Sequence, residues 1–569
     1  MKHYDKMDTI GKKRILIVGG VAGGASCAAR ARRLSEEAEI IVFERGPYIS
    51  YANCGLPYYI GDVIADESKL LVATPELLQK RFNIDVRVEN EVLAIDREKS
   101  EIEVRNVKTD AVYCEGYDAL VLAPGAMPIR PPIPGVGLPG IFSLRTIMDS
   151  RQIKDWIAGR DAKQAVVVGA GFLGLEITEN LVKSGLSVSL AEMAAHVMPA
   201  FDPEMTAPIQ NCLTANGVSL RLGDPVSGFE QNADGTISVG LKSGEVLDAS
   251  LVILSIGVRP EVALARAAGL EIGAHGGIRV DERMCTSDER IWAVGDAVEV
   301  RDIITGDWTL LALAGPANRQ GRIAADVICG RDARFRGVQA TAVCSVFDMT
   351  IAATGASEKT LRRVGAAGKP LSYEKIYLHP SHHVGYYPGA EPIALKLIFA
   401  KGDGRILGAE AVGKKDVEKR IDVIAMALQR NSTVFDLEEA ELCYAPQVGA
   451  AKDPVNIAGM VAANVLRGDA PVAHWGNSAD SDAIILDVRD RSEVAVDSVP
   501  GAVNIPLPEL RARMAELPRD REIRITCSAG QRSYYATRML LLNGFDAVNL
   551  SGGFLTYAAG RQFTAGEKQ

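Results

Sequence analysis

The chain has 569 residues, is 47% hydrophobic and 24% charged, and carries a net charge of −9. That length is too great for one core and predicts roughly three or four domains. The acidic balance argues against a nucleic-acid partner, no apolar run approaches the ~18 residues of a membrane span, and nine scattered cysteines without a CxxC pair suggest neither a disulfide framework nor a zinc site.

Residues 1–13 lack the apolar segment of a signal peptide and read as a flexible tail, so a cytoplasmic, reduced protein is expected. Arg14-Ile15-Leu16-Ile17-Val18 has the pattern of a buried strand and runs into Gly19-Gly20-Val21-Ala22-Gly23-Gly24. An alanine-rich helix follows, then a second strand, 39–44, that ends on Glu44. Gly19 and Gly24 hold the outer positions of G-x-G-x-x-G, with Val21 in place of the middle glycine. In a nucleotide-binding unit such glycines allow a tight turn, the helix N-terminus meets a pyrophosphate, and the acid holds a ribose.

The stretch Ser50-Tyr51-Ala52-Asn53-Cys54-Gly55-Leu56-Pro57-Tyr58-Tyr59 places one cysteine among small and polar residues. Ser50 and Asn53 are candidate hydrogen-bond donors there. A cysteine near a helix N-terminus is expected to be held as a thiolate by backbone N–H groups and the helix dipole.

Residues 165–174 repeat the fingerprint with all three glycines, Gly169, Gly171 and Gly174. A helix through 176–184 and a strand ending on Glu192 follow, and the next residues, Met193-Ala194-Ala195, offer no arginine for a 2′-phosphate. NADH is therefore favoured, with NADPH possible. Tyr117 to Ala126 is a strand ending in small residues, among them Ala123 and Gly125. Residues 290–297 end a strand on Gly295-Asp296, where the aspartate can accept from a ribityl hydroxyl. Gly257 joins these as a candidate cofactor residue.

These four motifs, in this order across about 14–465, resemble the flavoprotein disulfide reductases with two dinucleotide-binding domains. The resemblance implies FAD and NADH as cofactors, and an α/β fold of two Rossmann-like domains, an α+β dimerisation domain and a further α/β domain. The implied division is 14–125 with 281–330 for FAD, 126–280 for NAD and 331–465 for dimerisation. Other members, such as glutathione reductase, use a CxxxxC pair, whereas no second cysteine lies within five residues of Cys54. A lone cysteine must cycle through a mixed disulfide, persulfide or sulfenic acid.

The Cys54 stretch closely resembles that of the coenzyme A-disulfide reductases and the NADH-dependent persulfide reductases. NADH oxidases and peroxidases share the single cysteine. The resemblance implies a coenzyme A site near the first helix and the loop after Cys54. Arg30, Arg32 and Arg33 form one basic cluster there, Lys80 and Arg81 another, and Asn318 and Arg322 are weaker candidates. Arg33 is preferred by its place in the helix. It further implies a homodimer in which tyrosines of one subunit reach the partner's cysteine: Tyr444 from one cluster, and Tyr386 or Tyr387 from another, with Tyr387 slightly preferred. His379, His382 and His383 lack acidic or cysteine partners in sequence, so no metal is expected. The remaining cysteines read as packing residues, with Cys443 the exception because it adjoins Tyr444.

Residues 466–474 read as a linker. Beyond them, Ile523-Arg524-Ile525-Thr526-Cys527 is a strand ending on a cysteine, followed by a short loop into a helix. Such a loop rings the sulfur with backbone N–H groups. Arg532 is the fifth residue after Cys527, not the sixth that a phosphatase loop requires. This pattern, with Asp487-Val488-Arg489 and Pro500-Gly501-Ala502, resembles rhodanese domains across about 475–560. Asp497-Ser498 stands where many members carry Gly-His.

The expected function is NADH- and FAD-dependent reduction of a persulfide, such as that of CoA or glutathione, or of polysulfide, at Cys54. Cys527 would supply sulfane sulfur. CoA-disulfide reduction is the first alternative, and an oxidase or peroxidase cycle through a Cys54 sulfenic acid is the second. A redox sensor is the reading from a different class.

Overall fold

The computed structural model describes residues 12–476 and 482–564. Of the tail expected at 1–13, residues 1–11 lie outside the described part, as do 477–481 of the last domain.

The first sheet is parallel, in the order Ile291–Ala293, Ala119–Leu122, Arg14–Val18, Glu39–Glu44, Asp85–Val88. Its central strands are apolar at successive positions because both faces are covered, by helices and by the antiparallel strands 90–116. Ile15, Leu16 and Ile17 are all buried. Helix Ala22–Arg32 packs so closely on helix Ala314–Ile328 that a Cβ on Gly321 would lie 2.2 Å from the Gly23 oxygen.

A second parallel sheet runs Ser219–Leu222, Ser187–Glu192, Gln164–Val168, Leu251–Leu254, Ile141–Ser143. Each parallel sheet carries a three-stranded antiparallel one: 90–116 on the first and 226–249 on the second. The two units are joined by paired hinge strands, Ala126–Pro128 against Val258–Pro260.

A five-stranded antiparallel sheet follows, Ala342–Val346, Met349–Gly355, Ile406–Gly413, Ile393–Ala400, Tyr373–Leu378. The last sheet is parallel: Val472–Ala473, Ala547–Leu550, Ile523–Thr526, Ile484–Asp487, Val503–Asn504. Residues 472–473, read from sequence as linker, form its edge strand. Among the described residues no helix is long and apolar enough to cross a membrane.

The last domain sits on the edge strand Tyr373–Leu378. The Tyr377 N–H donates to Ser551 Oγ at 2.8 Å, and His379 Nε2 lies 2.9 Å from Thr556 Oγ1. His474 Nε2 lies 2.8 Å from Glu374 Oε1. Burial depresses the His379 pKa to about 4, which keeps this interface histidine neutral. His382 and His383 pack against each other with their rings tilted, and each lies within hydrogen-bond distance of a backbone carbonyl.

On the neighbouring strand, opposite Tyr377, the fully buried Lys396 donates to Asp202 (2.6 Å), Glu204 (2.7 Å) and Glu358 (2.8 Å). These three carboxylates are close enough together to hold a metal ion, but the Lys396 ammonium takes the cation's place. Burial works against that charge, yet Tyr377 and the acids around it outweigh burial and raise the Lys396 pKa. Asp202 begins the helix Pro203–Ala215 of the second unit, Glu358 begins the helix Glu358–Ala366, and the Tyr377 hydroxyl donates to Glu204 at 2.6 Å. The cluster thus ties the second nucleotide unit to the strand that carries the last domain.

Removing one partner of a buried ion network leaves the others uncompensated, which costs about 3–5 kcal/mol. Lys396→Met is expected to lose stability on that scale in urea unfolding followed by tryptophan fluorescence. A change below about 1 kcal/mol would contradict this account of the junction.

Candidate active site

Both glycine turns are cradles that a side chain would fill. Gly19 has φ +96°, and a Cβ there would lie 2.1 Å from the Ala123 oxygen. Gly169 has φ +99°, and its Cβ would meet the Ser255 oxygen at 2.6 Å. A Cβ on Gly24 or on Gly174 would collide with the carbonyl of Gly19 or Gly169, at 1.9 Å in each case. Only glycine lets strand end, turn and helix N-terminus come together this closely, which leaves backbone N–H groups facing the turn.

The acids expected to hold riboses end the second strand of each unit. Glu44 accepts from the N–H groups of Gly20 (3.1 Å) and Gly46 (2.9 Å). Glu192 accepts from those of Ala170 (2.7 Å) and Ala194 (2.8 Å). The exposed Met193 follows, with no arginine beside it.

The turns open into one cleft of about 2370 Å³. Ser50, Asn53, Cys54, Ala123, Gly125, Gly171, Gly257, Gly295 and Asp296 all line it. Burial raises the Asp296 pKa, with Arg145 opposing. The cradles, the acids and the cleft suit two dinucleotides.

Cys54 lies in the turn Asn53–Gly55 that opens the short helix Leu56–Ile60. Leu56 and Ile60 are buried in a core shared with the helix Phe172–Lys183 and the antiparallel sheet, and this fixes the cysteine at the cleft wall. Its side chain is exposed, but to the cleft it lines. The expected stabilisation of a thiolate by the helix is outweighed here. Burial raises the Cys54 pKa, the carboxyls of Glu176 and Asp296 add to the rise, and only its own backbone hydrogen bond lowers it.

The candidates for coenzyme A contact divide. Arg33, Arg81, Asn318 and Arg322 line the cleft. Arg30 lines it too but is held by Asp326 at 2.9 and 2.6 Å. Arg32 turns inward and donates to five carbonyls, among them those of Phe82 and Ala38. Lys80 is not among the lining residues.

The tyrosine clusters come together on the antiparallel domain. The hydroxyls of Tyr386 and Tyr444 are 2.8 Å apart and both side chains are exposed. Tyr387, the slightly preferred residue, packs edge-on against His383 instead. Cys443 is exposed next to this pair, and Cys114, read as a packing residue, is exposed as well.

In the last domain Cys527 ends the strand Ile523–Thr526 and is buried. The Gly530 N–H lies 3.1 Å from Sγ and the Ser533 hydroxyl 3.4 Å. Arg532 turns to Glu493, at 2.6 and 2.7 Å, so its guanidinium flanks the loop while its charge still faces Cys527. The turn 551–553 braces the loop: Phe554 N–H donates to the Cys527 carbonyl at 2.7 Å, and Trp475 holds the Gly553 carbonyl at 3.0 Å.

Two residues of the cleft carry no motif signal in one sequence. Arg145 lines it and donates to the Pro124 carbonyl at 2.9 Å. Glu176 lines it from the helix Phe172–Lys183, two residues past the last glycine of the second fingerprint. That spacing is the only sequence signal that could have flagged it.

Residues 13–321 match the pyridine nucleotide-disulphide oxidoreductase family, 341–453 its dimerisation domain and 471–559 the rhodanese-like domain. A coenzyme A disulfide reductase of Staphylococcus epidermidis is 34% identical over 447 residues, 78% of this chain and 99% of that one. An NADH oxidase of Methanocaldococcus jannaschii is 36% identical over 451 residues, 78% of this chain and 97% of that one. Among solved structures, reduced CoADR-RHD of Bacillus anthracis is 46% identical, with TM-score 0.94 over 97% of this chain and 99% of that one. The NAD-dependent persulfide reductase of A. fulgidus is 36% identical, with TM-score 0.88 over 96% of this chain and 100% of that one. The chain belongs to the pyridine nucleotide-disulphide oxidoreductase family and carries that family's dimerisation domain and a C-terminal rhodanese domain.

Proposed function

We propose that the protein is a homodimeric, NADH-dependent reductase of persulfides, with CoA persulfide or a similar species as substrate. The observation that carries this reading is a single cysteine, Cys54, in a cleft shared by two dinucleotide cradles, on the same chain as a sulfur-binding loop at Cys527. The likeness to a persulfide reductase and to a CoADR-RHD over nearly the whole chain supports it.

In this reading Glu44, Asp296 and the Gly19 turn hold FAD, with Arg145 as the cation in its part of the cleft. The Gly169 turn and Glu192 hold NADH. Arg33, Arg81 and Arg322 receive the phosphates of CoA, because guanidinium forks suit phosphate oxygens, and the Asn318 amide is a further contact. FAD, when bound, supplies the two-electron relay between NADH and the sulfur at Cys54.

The Cys54 thiolate attacks the persulfide, a new S–S bond forms as the substrate's own breaks, and one sulfur product leaves. Overall a persulfide, NADH and one proton give thiol, hydrogen sulfide and NAD⁺. Tyr386 and Tyr444 reach the partner's Cys54, where a phenol donates to the departing sulfur. Cys527 accepts sulfane sulfur from a donor and passes it towards Cys54, with the tether raising the effective concentration.

Anaerobic assays of NADH oxidation and sulfide release, with CoA persulfide set against CoA disulfide, test the assignment. Fast sulfide release that disappears in Cys54→Ser is expected, with Cys527→Ser blocking only turnover driven by a rhodanese donor. Equal or faster turnover of CoA disulfide would leave a disulfide reductase with an accessory sulfurtransferase domain. Peroxide-dependent NADH oxidation exceeding both would favour the sulfenic-acid cycle.

The double variant Tyr386→Phe/Tyr444→Phe is expected to lower kcat by about 100-fold while the FAD content stays unchanged, measured by steady-state kinetics and flavin absorbance. Gly19→Ala is expected to emerge with less than about half the wild-type flavin, since its Cβ would strike the Ala123 carbonyl. Full flavin occupancy in Gly19→Ala would contradict the assignment of that turn.

A further inference from the structure

We propose that Arg420 positions the tyrosine pair Tyr386–Tyr444, by clamping together the two loops that carry it. Arg420 is a positioning residue and touches no reacting atom. The catalytic role of the pair rests on the function proposed above; the clamp does not.

The pair sits on chain that cannot fix its own shape. Residues 379–392 and 439–453 are loops, the first closed by an isolated bridge between Ser381 and Pro392. Tyr386 and Tyr444 are both exposed in the single chain, so no core packing sets where their rings lie. Their hydroxyls are nevertheless 2.8 Å apart. A hydrogen bond of this kind is lost beyond about 3.5 Å, so a drift of about 1 Å between the loops would part the phenols.

Arg420 stands in the first turn of the helix Val417–Gln429 and is fully buried. Its Nη2 donates to the His382 carbonyl of the first loop at 2.6 Å and to Asp453 Oδ2 of the second at 2.9 Å. Nε lies 3.4 Å from Asp453 Oδ1, and Nη1 donates to the Asp416 carbonyl at 3.3 Å. One planar group therefore grips both loops and its own helix end. His382 precedes Tyr386 by one short turn of chain, and Asp453 closes the loop that Tyr444 opens.

Both grips are firm. His382 N–H donates to the Glu391 carbonyl at 2.9 Å, which ties the two ends of the first loop where Arg420 holds it. Asp453 caps the helix Pro454–Leu466, accepting from the Val455 N–H at 3.0 Å. Asn456 of the same helix holds the carbonyls of Leu437 (3.1 Å) and Ala440 (2.8 Å), at the start of the second loop. Weaker stitches run alongside: Val384 N–H to the Gly449 carbonyl, and Lys419 Nζ to the Val448 carbonyl, each at 3.1 Å. Lys419 is at the surface, whereas Arg420 is sealed from water.

A buried ion pair adds little net stability over apolar packing, and its best-attested use is to fix geometry. The fork of a guanidinium can serve two acceptors in one plane, which the single ammonium of a lysine does less well. Arg420 is thus suited to set the separation of two loops, and the separation is what the phenol pair needs.

The test uses the FAD-loaded full-length dimer with 3-fluorotyrosine at position 444, read by fluorine NMR against pH. The Tyr386 hydrogen bond holds the Tyr444 pKa up. The titration is expected to fall by about half a pH unit or more in Tyr386→Phe, and by the same amount in Arg420→Lys. An arginine that only stabilised the fold would lower the urea midpoint and leave this titration in place. Asp453→Asn keeps a helix cap but removes the carboxylate, is expected to give the same shift, and serves where Arg420→Lys yields no dimer.

In persulfide turnover Arg420→Lys is expected to lower kcat by at least about 10-fold, with the KM for NADH within about two-fold. Adding Tyr386→Phe/Tyr444→Phe to it is expected to cost less than about 10-fold more, where the same pair costs about 100-fold alone. Losses that multiply in full, or a titration that Arg420→Lys and Asp453→Asn leave unmoved, would overturn the proposal. So would a titration that Tyr386→Phe leaves unmoved, since there would be no pair to position. A shifted titration in a protein whose turnover ignores Tyr386→Phe/Tyr444→Phe would sink the catalytic reading of the tyrosines and leave the clamp standing.

Discussion

Backbone approaching backbone at Gly19 and Gly169 is the constraint on which the rest of the molecule depends. A Cβ at either position would overlap the carbonyl of the neighbouring strand's end, so the turn exists only because both residues are glycine with positive φ. Once strand, turn and helix are drawn together, the helix N-termini and the acids Glu44 and Glu192 take up fixed places at the ends of two parallel sheets. The hinge strands then bring the two turns to one cleft. Cys54 is held at the wall of that cleft by Leu56 and Ile60, which are buried in a core that belongs mostly to the other unit. Its placement is a consequence of domain packing as much as of its own loop.

The two reactive sulfurs sit in contrasting surroundings. Cys54 opens onto a wide cleft and faces carboxyls, Glu176 and Asp296, that work against its ionisation. Cys527 is buried in a tight loop where a backbone N–H and the Ser533 hydroxyl point at its sulfur and Arg532 flanks the rim. The turn 551–553 that braces this loop is also one of the contacts through which the domain docks, since Ser551 receives the Tyr377 N–H and Tyr377 in turn bonds Glu204. The buried Lys396 network therefore lies beside the docking strand, linking the second nucleotide unit to the seat of the rhodanese domain.

Much of this was legible from the chain alone. Glycine turns between apolar strands, acids at strand ends, a lone cysteine followed by Gly-Leu-Pro, and the Cys527 loop all carry their chemistry in local spacing. The parts that were not legible depend on distant partners. Arg30 resembles a phosphate ligand until Asp326, 296 positions away, is seen to hold it. Arg32 shares its basic run but serves as a buried cap for carbonyls around Phe82 and Ala38. Tyr386 rather than Tyr387 meets Tyr444, because Tyr387 is turned against His383. The thiolate expected from the helix at Cys54 overlooked two carboxyls distant in sequence, Glu176 from the other nucleotide unit and Asp296 from the far end of its own.

In the proposed reaction Cys54 is the sulfur at which substrate and reducing equivalents meet. The most direct measurement is peptide mass analysis of the FAD-loaded protein after anaerobic exposure to CoA persulfide without NADH, then again after one equivalent of NADH. A CoA or sulfane-sulfur adduct on Cys54, discharged by NADH, is the predicted result. An adduct confined to Cys527 or Cys443, or one on Cys54 that NADH leaves in place, would contradict the account.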